Sequence, residues 1–89
     1  MSYFVYMLKC ADGTLYTGTA SDIEKRVRAH NHLKSGAKYT RARRPVDLIY
    51  CEAVEGKGVA LSREAEIKRL TRTEKIALAL SSHKLGSGK

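Results

Sequence analysis

Apolar side chains come in short blocks along this 89-residue chain, separated by turn signals, and the blocks change period part-way. From Tyr3 to Cys10 β-branched, aromatic and aliphatic residues run almost unbroken into Ala11-Asp12-Gly13. The block is too short for a helix and ends in a turn, so it predicts a strand entering a hairpin, with Leu15 to Ala20 as the return strand. Two registers are open at this turn. A two-residue Asp-Gly loop pairs Lys9 with Tyr16 and puts Tyr6 and Tyr16 on opposite faces. A three-residue Ala-Asp-Gly loop, with Gly13 in the left-handed position of a bulge, opposes Cys10 to Thr14, Leu8 to Tyr16 and Tyr6 to Gly18. Both tyrosines then share one face as diagonal neighbours.

Beyond the hairpin the period lengthens. Ser21-Asp22-Ile23-Glu24 has the form of a capping box and predicts a helix running to about Leu33, with Ile23, Val27 and Leu33 as its apolar stripe. Arg26 and His30, one turn apart, fall inside the arc of that stripe. Lys34 to Arg44 has no apolar period and carries five cations and one aromatic, which predicts a surface loop. Pro45 opens a third strand, Val46 to Val54, and Gly56 and Gly58 break the chain after it. Val59, Ala60, Ile67 and Leu70 then recur at helical spacing, with Glu64 on the same face. A last helix is expected from an N-cap at Thr73 to about Leu80, followed by a frayed tail. Neither face of the first strand is polar, so helices should cover both sides of the sheet. The expectation is one α+β domain over residues 1–80, a small antiparallel three-stranded sheet flanked by helices, with residues 81–89 as a flexible tail.

Composition adds a partner. Hydrophobic residues at 43% and charged residues at 29% are globular proportions that exclude wholesale disorder. Seventeen Lys and Arg against nine Asp and Glu leave a net charge of +8, a positive potential that points to polyanions. No apolar run reaches the roughly 20 residues that span a bilayer, and the N-terminus lacks the charged start of a signal peptide; a cytoplasmic protein with no membrane partner is expected. Cys10 and Cys51 lie in apolar stretches with no CxxC pair and no zinc spacing, and read as two buried thiols.

Three ionisable residues on apolar helix faces, Arg26, His30 and Glu64, are the most informative feature, because a buried charge is costly unless it is paired, metal-bound or in a cleft. One account is structural, an Arg26–Glu64 bridge with His30 as a packing residue and Tyr6 and Tyr16 as half-buried strand residues. The other is a site. The cationic segment divides in the same way: a solvated surface, or Lys38, Tyr39, Arg41, Arg43 and Arg44 combining phosphate contacts with base stacking.

The combination resembles the GIY-YIG endonuclease superfamily. Phe4-Val5-Tyr6 stands at the first motif and Tyr16-Thr17-Gly18 at the second; Arg26 follows ten residues after Tyr16, His30 one turn later, and Glu64 lies on a later helix. Lys38-Tyr39-Thr40-Arg41 through Pro45, together with Arg63-Glu64 and Ile67-Lys68, is similar to the small stand-alone branch of that family. The resemblance implies Mg²⁺-dependent hydrolysis of phosphodiester bonds in nucleic acid, DNA before RNA, with Mn²⁺ able to substitute. It implies Glu64 as metal ligand, Arg26 on the scissile phosphate, Tyr6 as general base or its relay with His30 receiving the proton, and Tyr16 positioning water or phosphate. Phe4 replaces the first motif's Gly, Thr19 stands where excision-repair members place a Lys, and Ile76 stands where an Asn is usual. These departures keep a non-catalytic nucleic-acid-binding module as the alternative, with a basic protein bound to structured RNA as a third reading.

Overall fold

The turn after Lys9 sets the geometry of the whole sheet. Gly13 has a φ of 86°, the left-handed conformation that glycine adopts without steric cost. Around it the Gly13 amide donates to the Cys10 carbonyl (2.9 Å) and the Cys10 amide to the Thr14 carbonyl (2.8 Å). This is the three-residue loop, and it opposes Tyr6 to Gly18 and Leu8 to Tyr16. Tyr6 and Tyr16 therefore project from one face.

A computed structural model describes residues 2–33 and 37–87. In chain order the elements are β1 (Tyr3–Lys9), β2 (Leu15–Ala20), α1 (Ile23–His32), α2 (Lys38–Arg41), β3 (Asp47–Val54), α3 (Lys57–Lys68) and α4 (Arg72–Ser87). The strands form an antiparallel sheet in the order β2-β1-β3. With β1 central, its alternation divides the core in two. Val5 and Met7 pack with Tyr50, Ala60, Ile67 and Ala79 beneath α3 and α4, whereas Tyr6, Leu8 and Cys10 pack with Ala20, Val46, Ile23 and Val27 beneath α1. Helices on both faces follow from a first strand with no polar side.

Several local expectations change. Asp22, not Ser21, caps α1, its carboxylate accepting from the Lys25 amide (3.1 Å); a full negative charge suits the helix N-terminus better than a hydroxyl. Thr71, not Thr73, starts α4 through a reciprocal capping box, in which the Thr71 hydroxyl accepts from the Glu74 amide (3.1 Å) and Glu74 reaches back to the Thr71 amide (2.8 Å). That helix continues to Ser87, into the stretch expected as a tail. Within the expected loop, residues 38–41 form the single turn α2; Lys34, Ser35 and Gly36 lie outside the described residues. Cys10 is buried, but Cys51 is exposed: on the outer strand β3 it takes the face opposite that of its neighbour Tyr50, which enters the core beneath α3 and α4.

The segment between α2 and β3 is tied to α1 by side chains. Asn31 pairs with the backbone of Val46 as another strand would, its Oδ1 accepting from the amide (2.7 Å) and its Nδ2 donating to the carbonyl (3.1 Å). Arg44 lies across the C-terminal end of α1 and donates to the carbonyls of Ala29 (3.2 Å), His30 and Leu33 (2.6 Å). The His30 and Leu33 carbonyls are acceptors the helix terminus leaves open, the Ala29 carbonyl is shared with the Leu33 amide (3.0 Å), and a cation there also complements the helix dipole.

Candidate active site

Tyr6 reaches its position because Gly18 is opposite. A Cβ placed on Gly18 would lie 2.6 Å from the Tyr6 hydroxyl oxygen and 2.8 Å from its Cζ, so the phenol crosses β2 through the space a side chain would fill. The Tyr-x-Gly spacing of the second motif is thus a steric requirement of the first motif's tyrosine. At the far end of the ring the Tyr6 hydroxyl meets His30 Nε2 at 2.8 Å. His30 is fully buried on α1, and its Nδ1 is 2.8 Å from the hydroxyl of Thr40, itself fully buried on α2. Thr40 in turn donates to the Ala37 carbonyl (2.9 Å).

The aromatic rings close around this chain of bonds. Tyr16 stands edge-on to His30, with centroids 5.1 Å apart, and Tyr6 does the same at 5.9 Å. The outer ring, Tyr39, stacks on Tyr16 at 6.0 Å with an interplanar angle of 27°. Arg43 places its guanidinium carbon 3.9 Å from the Tyr39 centroid, donates to the Tyr39 carbonyl and pairs with Asp12 at 3.1 Å. The segment after α1 is thereby laid against the hairpin tip.

Charge acts on Tyr6 from three elements. Burial raises its pKa most; a hydrogen bond from Arg26 on α1 opposes that rise, while Tyr16 on β2 and Glu64 on α3 add to it. Tyr6 is thus a neutral phenol in the free protein, burial outweighing the cation that favours its ionisation. His30 is pushed down to about 4, first by burial and then by the charges of Arg26 and Arg44, so its ring is neutral at pH 7. Glu64 keeps partial exposure (20%) and has Lys68 one turn on, at 3.5 Å.

Tyr6, Tyr16, Arg26 and His30, from two strands and one helix, therefore meet around one hydroxyl, and Glu64 on α3 lies near enough for its charge to act on that group. Of the cationic segment, Tyr39 and Arg43 join the edge of this cluster, Lys38 and Arg41 are exposed, and the Arg44 guanidinium is turned to the end of α1. Thr40 is the functional candidate that sequence reasoning passed over. Its type gave no signal inside a run of cations, though its place ten residues after His30 sits beside the motif.

Comparison with known proteins settles the lineage. The model of the GIY-YIG catalytic domain matches residues 2–77. The chain belongs to the GIY-YIG family. A UPF0213 protein of Staphylococcus aureus is 56% identical over 77 residues, covering 86% of this chain and 93% of the relative. Among solved structures, the UPF0213 protein BH0048 of Bacillus halodurans is 41% identical with a TM-score of 0.55, the match covering 88% of this chain and 82% of that one. The E. faecalis protein EF2693 is 34% identical with a TM-score of 0.60 over 92% and 88% of the two chains. The GIY-YIG family is one of nucleases acting on nucleic acid, generally with divalent metal ions. Among the described residues no group of three or more His, Cys, Asp or Glu forms a metal cage, and no helix is long and apolar enough to cross a membrane. A single, partly exposed carboxylate suits a hard ion that keeps most of its waters, as Mg²⁺ does, and does not suit zinc.

Proposed function

We propose that this GIY-YIG protein is a Mg²⁺-dependent endonuclease that hydrolyses phosphodiester bonds in DNA, acting in the cytoplasm. The observation that carries the reading is the Tyr6 hydroxyl bonded to both His30 and Arg26, within reach of the Glu64 charge. Hydrolysis of a phosphodiester needs a water in line with the leaving oxygen, an acceptor for its proton, and positive charge on the phosphoryl oxygens. Arg26, planar and permanently charged, grips the scissile phosphate and stabilises its developing charge. The Tyr6 oxygen takes the water's proton as its own passes to His30 Nε2, a relay that avoids a free phenolate at neutral pH. Tyr16, beside both, orients the water or the phosphate; as the water oxygen bonds to phosphorus the bond to the leaving oxygen breaks, and that oxygen takes its proton from solvent. A bound phosphate also neutralises Arg26, one of the two cations that depress His30, and so raises the basicity of the acceptor when substrate is in place. Glu64 would hold the metal, with Mn²⁺ an alternative ion; when bound, it supplies positive charge to the phosphate oxygens. Lys38, Tyr39 and Arg41, braced by Arg43 and Arg44, form the adjoining nucleic-acid surface.

A second reading keeps the fold and loses turnover. Ile76, at the position where the family usually has Asn, lines an apolar pocket with Leu15, Leu48, Ile49 and Ala79, away from the tyrosines. The protein would then be a nucleic-acid-binding module. One experiment separates the two: the purified chain and its Glu64→Gln variant are incubated with duplex, flapped, branched and single-stranded DNA, and with the matching RNAs, in Mg²⁺ or EDTA. The endonuclease reading expects Mg²⁺-dependent cleavage, DNA before RNA, reduced about 10²-fold or more in the variant. Affinity in EDTA should stay within about threefold, because the change removes only a negative charge near phosphate. Loss of cleavage in proportion to a lower folded fraction would return Glu64 to a structural role, and binding without cleavage of any substrate would establish the module.

A further inference from the structure

The direction of the hydrogen bonds around His30 follows from one proton. A threonine hydroxyl has a single hydrogen to give. The Thr40 oxygen lies 2.9 Å from the Ala37 carbonyl oxygen, and two oxygens at that separation with no proton between them oppose their lone pairs. The Thr40 proton therefore points at Ala37, and at 2.8 Å the same oxygen is left to accept from His30 Nδ1. A neutral imidazole carries its hydrogen on one nitrogen only, so protonation at Nδ1 leaves Nε2 as a bare lone pair, 2.8 Å from the Tyr6 hydroxyl. The chain runs in one direction: Tyr6 donates to His30, His30 to Thr40, Thr40 to the backbone.

We infer that Thr40 is a positioning residue that fixes His30 in the tautomer whose Nε2 accepts the Tyr6 proton, and so ties α2 to the acid–base pair. Without that hydroxyl, a buried Nδ1–H has nothing to donate to, a cost the ring escapes by moving its proton to Nε2. Nε2–H then points at the Tyr6 oxygen and no acceptor remains for the phenol's proton. The titratable or charged groups that face His30 are Tyr6 from β1, Tyr16 from β2, Arg26 from α1 and Arg44 from the segment before β3. Of these only Tyr6 bonds a ring nitrogen, and its hydroxyl can donate to Nε2 or accept from it; Thr40, whose own proton is committed to Ala37, can only accept from Nδ1 and so makes the choice.

The effect on rate rests on the hydrolytic reading above, but the tautomer does not. Nitrogen-15 NMR of the imidazole at pH 7 should show His30 protonated on Nδ1 in the wild-type protein and in Thr40→Ser, and on Nε2 in Thr40→Val. On DNA with Mg²⁺, Thr40→Val should lower kcat about 10²-fold with KM unchanged, and Thr40→Ser should restore it. Nε2 protonation in the wild type overturns the inference, and so does an unchanged tautomer in folded Thr40→Val. If Thr40→Val does not fold, the wild-type and Thr40→Ser spectra decide. Should the tautomers behave as stated while neither wild type nor variant cleaves any substrate, the role of Thr40 stands and the endonuclease reading falls.

Discussion

His30 shows how much a single burial determines. The ring has no contact with solvent, bonds at both nitrogens and feels two cations, and its pKa stands at about 4 against an ordinary 6.5. Between those values the unfolded chain takes up a proton that the folded chain refuses, so stability falls as pH is lowered through the window from 6.5 to about 4. Above pH 6.5 the full stability is present; at the lower end the loss attributable to this residue reaches about 3 kcal/mol. Urea midpoints of the wild type and His30→Gln at pH 7, 5.5 and 4.5 check this: the wild-type curve should fall more steeply, and parallel curves would place the His30 titration elsewhere. The same residue marks what could be read from the chain. A histidine inside an apolar stripe, one turn from an arginine, stands out as a pattern. Thr40, which decides which nitrogen of that histidine is basic, does not, because its importance lies in a contact across ten residues and a fold of the backbone between them.

At the scale of elements the hairpin is decisive, and Gly18 is where its register becomes chemistry. Adding a Cβ there meets the Tyr6 hydroxyl at 2.6 Å and Tyr16 Cε2 at 3.1 Å, and Tyr6 cannot swing aside without breaking its bond to His30. Gly18→Ala should therefore cost about 1–3 kcal/mol in stability and abolish cleavage even where the protein remains folded. Gly13→Ala is the control: nothing lies within 4 Å, so only the positive φ is penalised, at about 1 kcal/mol, with the site intact. Unfolding by urea and a cleavage assay on both variants check the pair; equal activity would mean that Tyr6 does not depend on the open space at Gly18. Elements with a strong period, the three strands and the α1 and α3 helices, were legible to within a few residues. The turn register was not, because Asp-Gly and Ala-Asp-Gly loops both satisfy the local rules and only packing of the tyrosines against α1 separates them. The cap of α4 was legible in principle, since Thr71-x-x-Glu74 has the reciprocal form that Thr73, with Ile76 three residues on, lacks. The single turn α2 left no trace in the pattern, being held by the Thr40 side chain rather than by an apolar face.

For the whole molecule the governing quantity is the net charge of +8 and how much of it is free to meet phosphate. Counting the cations of the segment between α1 and β3 overstates the answer. Arg44 is committed to the carbonyls at the end of α1, and Arg43 to Asp12 and the Tyr39 ring. Lys38 and Arg41 are exposed beside the tyrosine cluster, and with Arg26 they make about three phosphate contacts in the proposed complex. Each neutralised phosphate of duplex DNA releases close to one counterion, so log K against log salt should fall with a slope of about −3 in EDTA. Arg41→Ala should bring the slope about one unit closer to zero and weaken binding to every sequence alike, as a backbone contact does. Arg44→Ala should leave the slope unchanged and lower Tm instead, because it uncovers the end of α1. Fluorescence anisotropy across a salt series, with a melting curve for each variant, checks all three expectations. A slope near zero would remove the electrostatic footing of nucleic-acid binding. An Arg44→Ala slope that falls with Arg41→Ala would mean that the α1 cap opens on binding and that its guanidinium is a phosphate contact after all.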